Sequence, residues 1–234
     1  MSERFHITSP PTAGRARLDG DEARHLVRVL RAKVGEEVTL FDGSGSSWPG
    51  RVLAIGRGAV ELEVGPASES PPARLPAVTL AVALPKGERQ KWLVEKLTEL
   101  GVERLVPLLT ERGVAEPTAA AIERLKRGVI ESCKQCGRDR LMAIGTPATV
   151  AEIVASAPAA AVGIIADPAG APLAASGWQE ATEVIGLVGP EGGFTAAELA
   201  AGAAAGWPRV AIGSYVLRIE TAAVALAARL AHHP

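Results

Sequence analysis

Before residue 65 the chain alternates apolar and polar positions, whereas after residue 78 its apolar positions gather into blocks. Ala59-Val-Glu-Leu-Glu-Val64 alternates strictly, the period of a strand with one wet face. Glu37-Val-Thr-Leu-Phe41 and Arg51-Val-Leu-Ala-Ile55 read as two more strands, and Asp42-Gly-Ser-Gly45 as a turn. One short helix, about 22–30, interrupts the series. This pattern predicts a small β-barrel. Pro66-Ala-Ser-Glu-Ser-Pro-Pro-Ala-Arg74 has the composition of a linker and sets a boundary, with one domain over 1–70 and a second over 71–234.

Beyond the linker, Val78-Thr-Leu-Ala-Val-Ala-Leu84 is continuously apolar, as in a strand covered on both faces. A helix over 88–100 ends at Gly101, and 102–109 reads as the next strand. A helix over 118–135 places Ile122, Leu125, Val129 and Cys136 near one face. Residues 162–166 and 184–188 are strand-like, and Thr195 with Glu198 forms a capping box that starts another helix. Arg209-Val-Ala-Ile212 is a short strand, followed by an Ala-rich helix to about His232. Strands alternating with helices predict an α/β domain with a parallel sheet.

Charge sharpens this division. The net charge is only −1, but residues 86–140 carry +3 and residues 141–234 carry −4. No apolar run reaches the ~18 residues of a membrane span, so the expectation is a soluble, cytoplasmic protein without a membrane partner. Aromatic residues make up 3% of the chain, which argues against a base-stacking RNA platform. Cys133-Lys-Gln-Cys136 is a lone C-x-x-C at a helix end, and His6, His25, His232 and His233 are not spaced to complete a zinc site. No metal is expected, and the cysteines read as structural thiols.

The chemistry concentrates in two strand–loop–helix units. The run 184–188 breaks into Gly189-Pro-Glu-Gly-Gly193, and the strand at 209–212 runs into Gly213-Ser-Tyr-Val-Leu-Arg-Ile-Glu-Thr221. Such loops bring bare backbone N–H and C=O groups to a small polar ligand, and in open α/β sheets they gather at the carboxyl ends of the strands. A side chain at Gly192 is expected to enter that cradle. Neither G-x-G-x-x-G nor G-x-x-x-x-G-K-[ST] is present, so neither standard nucleotide fingerprint applies.

Gly189-Pro-Glu-Gly-Gly-Phe194 and Ile212-Gly-Ser-Tyr-Val-Leu-Arg-Ile-Glu-Thr-Ala222 resemble the two C-terminal signature motifs of SPOUT methyltransferases. His25-Leu-Val-Arg-Val-Leu-Arg31, Leu84-Pro-Lys-Gly87, Glu95-Lys-Leu-Thr-Glu-Leu-Gly-Val102, Thr110-Glu-Arg112 and Gln135-Cys-Gly-Arg138 extend the resemblance, nearly end to end, to the RsmE family. The resemblance implies a PUA-like RNA-binding β-barrel followed by a SPOUT-type parallel sheet with a C-terminal trefoil knot. It implies S-adenosylmethionine as cofactor and methylation of N3 of a uridine in 16S ribosomal RNA, free or in an assembled small ribosomal subunit. A homodimer is implied too, with one subunit's RNA domain serving the other's site. The chain departs from the family pattern at Ile219, where threonine is usual, and at Tyr215, where a basic residue is common.

On this reading the cofactor rests on Val188, Gly189, Pro190, Glu191, Gly192 and Gly193, on Ile212, Gly213, Ser214, Tyr215, Val216 and Leu217, and on Leu84. Glu191 and Glu220 are the loop acids that could take the uridine N3 proton, directly or through water. Arg218 suits the anion that forms, and Arg138 is a further substrate candidate. Arg24, Arg28 and Arg31 fall at i, i+4 and i+7, one face of an α-helix bordered by His25, and predict a phosphate-contacting stripe. Arg4 and Lys86 join them as RNA contacts. Two other classes stay open: an RNA-binding protein without catalysis, and a dinucleotide oxidoreductase.

Overall fold

The computed structural model describes residues 3–71, 76–114 and 117–231, and these residues form two compact units. The helix end expected at His232 lies outside the described residues.

The first unit comprises residues 1–72 together with 130–141. Its strands are β1 (Arg4–His6), β2 (Arg15–Asp19), β3 (Glu37–Phe41), β4 (Ser46–Ile55), β5 (Ala59–Val64) and β6 (Ser68–Glu69). They form a half-barrel in the order β1-β3-β4-β5-β2, with β6 on β4. All pairings are antiparallel except β1 with β3. The strict alternation of β5 buries Val60, Leu62 and Val64 while Glu61 and Glu63 face water. Phe5, Leu18, Leu26, Val38 and Leu40 complete this core.

The short helix differs from its expected geometry. It begins as α1 (Gly20–Arg24) and continues as a single π-turn, His25–Val29, in which the Leu30 N–H reaches back to His25 O at 3.1 Å. A wider turn breaks the α-helical spacing, and Arg31 lies past the helix end with φ +56°. Arg24, Arg28 and Arg31 are all exposed, but they do not form the straight i, i+4, i+7 stripe.

The second unit comprises residues 73–129 and 142–234. Its strands are β7 (Ala77–Val82), β8 (Arg104–Leu109), β9 (Ala143–Ile144), β10 (Ala148–Thr149), β11 (Val162–Pro172), β12 (Glu183–Val188) and β13 (Arg209–Ala211). The sheet runs β10-β8-β7-β12-β11-β13, with β9 also on β8, and every pair is parallel. The helices are α2 (Glu88–Glu99), α3 (Ala119–Cys136), α4 (Val150–Ser156), α5 (Ala196–Ala204) and α6 (Ile219–Ala231). The last residues of α3, from Ile130, belong to the first unit. Central β7 and β12 are the continuous apolar runs, and Leu80, Ala81, Val82, Val184 and Leu187 are fully buried.

After edge strand β13 the chain returns so that α6 packs on β7, β12 and α2. Gly186 permits this. A Cβ there would stand 2.8 Å from both Leu226 on α6 and Leu80 on β7, closer than real side chains approach.

Candidate active site

The carboxyl ends of β12 and β13 and residues 166–168 in the middle of β11 enclose a cavity of about 330 Å³, within the size range of small-molecule sites. Two loops build it. Val188, Gly189, Pro190, Glu191, Gly193 and Phe194 come from the β12–α5 connection, and Ile212, Gly213, Tyr215, Val216 and Leu217 from the β13–α6 connection. The first loop is tight: the Gly193 N–H donates to Pro190 O at 2.8 Å, and Gly193 has φ +68°, which favours glycine. Thr195 and Glu198 cap α5 as expected: the Thr195 hydroxyl accepts the Glu198 N–H, and the Glu198 carboxylate accepts the Thr195 N–H.

The three glycines of that loop have different neighbours. A Cβ on Gly189 would stand 2.9 Å from the Phe194 ring, which covers one side of the cavity. A Cβ on Gly192 would instead meet the Arg112 stem at 3.4 Å, and Gly192 does not line the cavity. The expectation that a Gly192 side chain enters the cradle is therefore corrected. What Gly192 contributes is its carbonyl, which accepts from Arg112 Nη1 at 2.7 Å. The neighbouring Glu111 N–H donates to Glu198 Oε1 at 3.0 Å, so the segment after β8 holds both Gly192 of the loop and the first turn of α5.

Of the other cofactor candidates, Ser214 is exposed and does not line the cavity. Tyr215 and Val216 line its mouth with 84% and 81% of their surface exposed, although large apolar side chains usually find cover. Leu84 lines a second cavity of about 380 Å³, walled also by Leu108, Thr110, Val114, Pro190, Glu191 and Ile219. Pro190, Glu191 and Ile219 line both cavities.

The two loop acids are brought together by a residue that the sequence reading missed. Arg89 Nη1, on the first turn of α2, lies 3.6 Å from Glu191 Oε1 and 3.6 Å from Glu220 Oε2. The acids differ in exposure: the Glu191 side chain is 51% exposed and the Glu220 side chain 9%. Arg218, just before α6, is exposed and lines neither cavity.

Asp167 and Arg209 are two further missed residues that line the first cavity, and they pair at 2.8 Å. Burial would raise the Asp167 carboxyl, but hydrogen bonds from the Arg209 guanidinium and the Ala169 N–H hold it below its usual value. Asp167 follows the apolar half of β11, so the rule that ligands gather at strand carboxyl ends pointed to it.

The chemistry of this lining fits S-adenosylmethionine. Backbone groups from two glycine-bearing loops can meet polar edges, Phe194, Leu199 and Leu217 offer apolar cover, and the Glu191 carboxylate with the Arg209-paired Asp167 suits a ligand that carries cationic and polar groups.

The remaining candidates divide between the units. Lys86 is exposed in the connection between β7 and α2 in the second unit. Arg138 follows α3 in the first unit and is half-buried. His25 is half-buried, with its ring 6.2 Å from that of Phe5. Arg4, expected among the RNA contacts, pairs with Asp139, lies 5.0 Å over the Phe41 ring, and is only 17% exposed. Cys133 is buried and Cys136 exposed, both as free thiols, and the described residues contain no group of three or more metal-ligating side chains. No described helix is long and apolar enough to cross a membrane.

Comparison with known proteins agrees with this architecture. Residues 72–231 match the RNA methyltransferase domain family, and residues 18–65 the RNA methyltransferase PUA domain family. Ribosomal RNA small subunit methyltransferase E of Mycobacterium tuberculosis is 36% identical, covering 96% of this chain and 89% of its own. The Synechocystis protein of the same name is 32% identical, covering 88% and 69%. Among solved structures, ribosomal RNA small subunit methyltransferase E from Neisseria gonorrhoeae, bound to S-adenosyl methionine, superposes with a TM-score of 0.89 at 27% identity, covering 97% of this chain and 96% of its own.

Proposed function

We propose a function from one premise: the chain belongs to the ribosomal RNA small subunit methyltransferase E family. It is an S-adenosylmethionine-dependent methyltransferase of small-subunit ribosomal RNA, and its target is N3 of a uridine in 16S RNA. The observation that carries this reading is the cavity between the β12–α5 and β13–α6 loops, where backbone groups and two carboxylates converge.

Bound in that cavity, S-adenosylmethionine supplies an electrophilic methyl group. The backbone of 188–193 and 212–217 would hold it, with Asp167 and Glu191 offering carboxylates to its polar and cationic edges. The chain's other tasks concern the uridine. Its N3 proton must leave, because the protonated imide nitrogen has no usable lone pair, and a loop carboxylate, Glu191 or Glu220, is the proposed acceptor. Arg218 offers a permanent positive charge to the resulting anion, with Arg138 as a second candidate. Alignment of the two reactants supplies much of the rate gain.

Arg24, Arg28 and Arg31, with His25 beside them, are proposed to grip RNA phosphates from the first unit, and Lys86 from the second. A cytoplasmic homodimer completes the reading. The test is methyl transfer from labelled S-adenosylmethionine to naked 16S RNA and to small subunits lacking the modification, with the product nucleoside identified by mass spectrometry. Labelled N3-methyluridine is expected. Absence of transfer to both substrates, or methylation at another base atom, overturns the proposal.

A further inference from the structure

The second cavity and the Arg89 ion cluster together suggest how labour is divided at the site, given the function proposed above. Glu191 is in the wall shared by the two cavities. It is the only carboxylate among the residues lining both, and half of its side chain is open. Glu220 lines neither cavity, its Oε2 is buried without a hydrogen bond, and it pairs with Arg89. Arg89 sits between them, within 3.6 Å of both.

We propose that the base to be methylated, an uncharged pyrimidine imide, enters the second cavity, and that Glu191 accepts its N3 proton while Arg89, anchored by Glu220, positions the Glu191 carboxylate. The second cavity suits such a base. Its lining combines apolar side chains, Leu84, Leu108, Leu109, Val114 and Ile219, with the Thr110 hydroxyl and the Glu111 and Glu191 carboxylates, which the carbonyl and N–H edges of an imide can meet. If the cofactor fills the first cavity, a base in the second meets it across the wall that holds Glu191. The N3–H bond then breaks with its proton going to a Glu191 oxygen. The electron pair left on N3 forms the new N–CH₃ bond as the methyl–sulfur bond breaks with its pair on sulfur. Glu220 is the anchor because a buried carboxylate needs a fixed counter-charge, and Arg89 is a positioning residue because it acts through Glu191.

Full-length variants test this by single-turnover methylation rate, S-adenosylmethionine affinity by calorimetry, RNA concentration dependence, melting temperature and light scattering. Glu191→Gln should lower the single-turnover rate about 10²–10⁴-fold, with an unchanged melting temperature and less than a tenfold change in cofactor affinity. Arg89→Met should lower both the melting temperature and the rate, and Arg89→Lys should recover part of the rate. Arg89→Met with Glu220→Gln removes the buried carboxylate charge together with its half-exposed counter-charge, so stability should return while the rate stays low. Val114→Trp, at the 63% exposed lip of the second cavity, should raise the RNA concentration for half-maximal rate at least tenfold without changing cofactor affinity.

A normal rate in Glu191→Gln, or full recovery of rate in the double variant, overturns the assignment. Normal RNA dependence in Val114→Trp overturns the base site, and so does a change in oligomeric state, which would make that lip a subunit interface. These outcomes presuppose that the unsubstituted protein methylates RNA; if it does not, the failure lies with the proposed function instead.

Discussion

Alanine at each of the three glycines of the β12–α5 loop should act through a different physical cause, so the trio tests the loop geometry directly. At Gly189 the new Cβ would stand 2.9–3.1 Å from three carbons of the Phe194 ring. That ring is half-buried against the core cluster containing Ile165, Ile185, Leu187 and Trp207, so it has little room to retreat. Overpacking of this kind costs about 1–3 kcal/mol, which for a chain this size lowers the melting temperature by roughly 2–12 °C. At Gly193 nothing lies within 4 Å of the new atom, but φ is +68°, and a left-handed L-residue costs roughly 1–2 kcal/mol. At Gly192 the Cβ only touches the Arg112 stem at 3.4 Å and φ is ordinary, so stability should stay within about 0.5 kcal/mol. Cofactor affinity should follow cavity lining rather than sequence position. Gly189 and Gly193 line the cavity and Gly192 does not, so Gly189→Ala and Gly193→Ala should weaken S-adenosylmethionine binding while Gly192→Ala leaves it unchanged. Calorimetry and thermal unfolding on the three variants give the comparison. If Gly192→Ala weakened binding as much as the other two, the loop would not face the ligand as described.

Arg24→Glu with Arg28→Glu should weaken RNA binding and flatten its salt dependence, because phosphate contacts act through counterion release. Unchanged RNA affinity at low salt would remove this exposed segment from the interface. Arg218→Ala should reduce the single-turnover methylation rate with near-normal cofactor affinity, and because Arg218 is exposed and lines neither cavity the loss should fall short of the ~10²–10³-fold that one charge-stabilising contact is worth in a water-poor site. A lowered melting temperature with a normal rate would make Arg218 a structural residue. Burial pushes the Cys133 thiol up to about 12, so at pH 8 it stays protonated as well as covered, and only the exposed Cys136 should react with a thiol reagent. Two fast-reacting equivalents in the folded protein would contradict that burial.

What could be read from the chain depended on the range of the interaction that encodes each feature. Period and capping are local. The alternation of 59–64 reappears unchanged as β5, the run at 78–84 as central strand β7 (Ala77–Val82), and the Thr195/Glu198 capping box as the start of α5. The same box at Thr149 and Glu152 was equally legible and went unread, which cost helix α4. The π-turn at His25–Val29 was not legible, because nothing in the residue spacing distinguishes it from another α-turn, and it breaks the α-helical i, i+4, i+7 spacing expected of Arg24, Arg28 and Arg31. Arg4 is a similar case. Expected from sequence among the RNA contacts, it is covered by Phe41 and by Asp139, a residue 135 positions away in the chain that belongs to the same unit.

The active site divides along the same line. Glycine loops announce themselves because a turn and a close backbone approach both need missing side chains, and all but a few of the loop positions expected from sequence do line the cavity. The ion cluster announces nothing. Arg89 lies on an ordinary charged helix start, Glu191 resembles helix N-terminal electrostatics, and Glu220 a first-turn acid. Each is locally well explained, so no single residue looks out of place. They come together only when β7 lies beside β12 in the sheet and α6 folds back onto β7, β12 and α2. That return depends on the missing side chain at Gly186, where a Cβ would collide with Leu80 and Leu226. The residue that brings Glu220 to Arg89 is thus a glycine in a buried strand, well away from the glycine loops that mark the cavity.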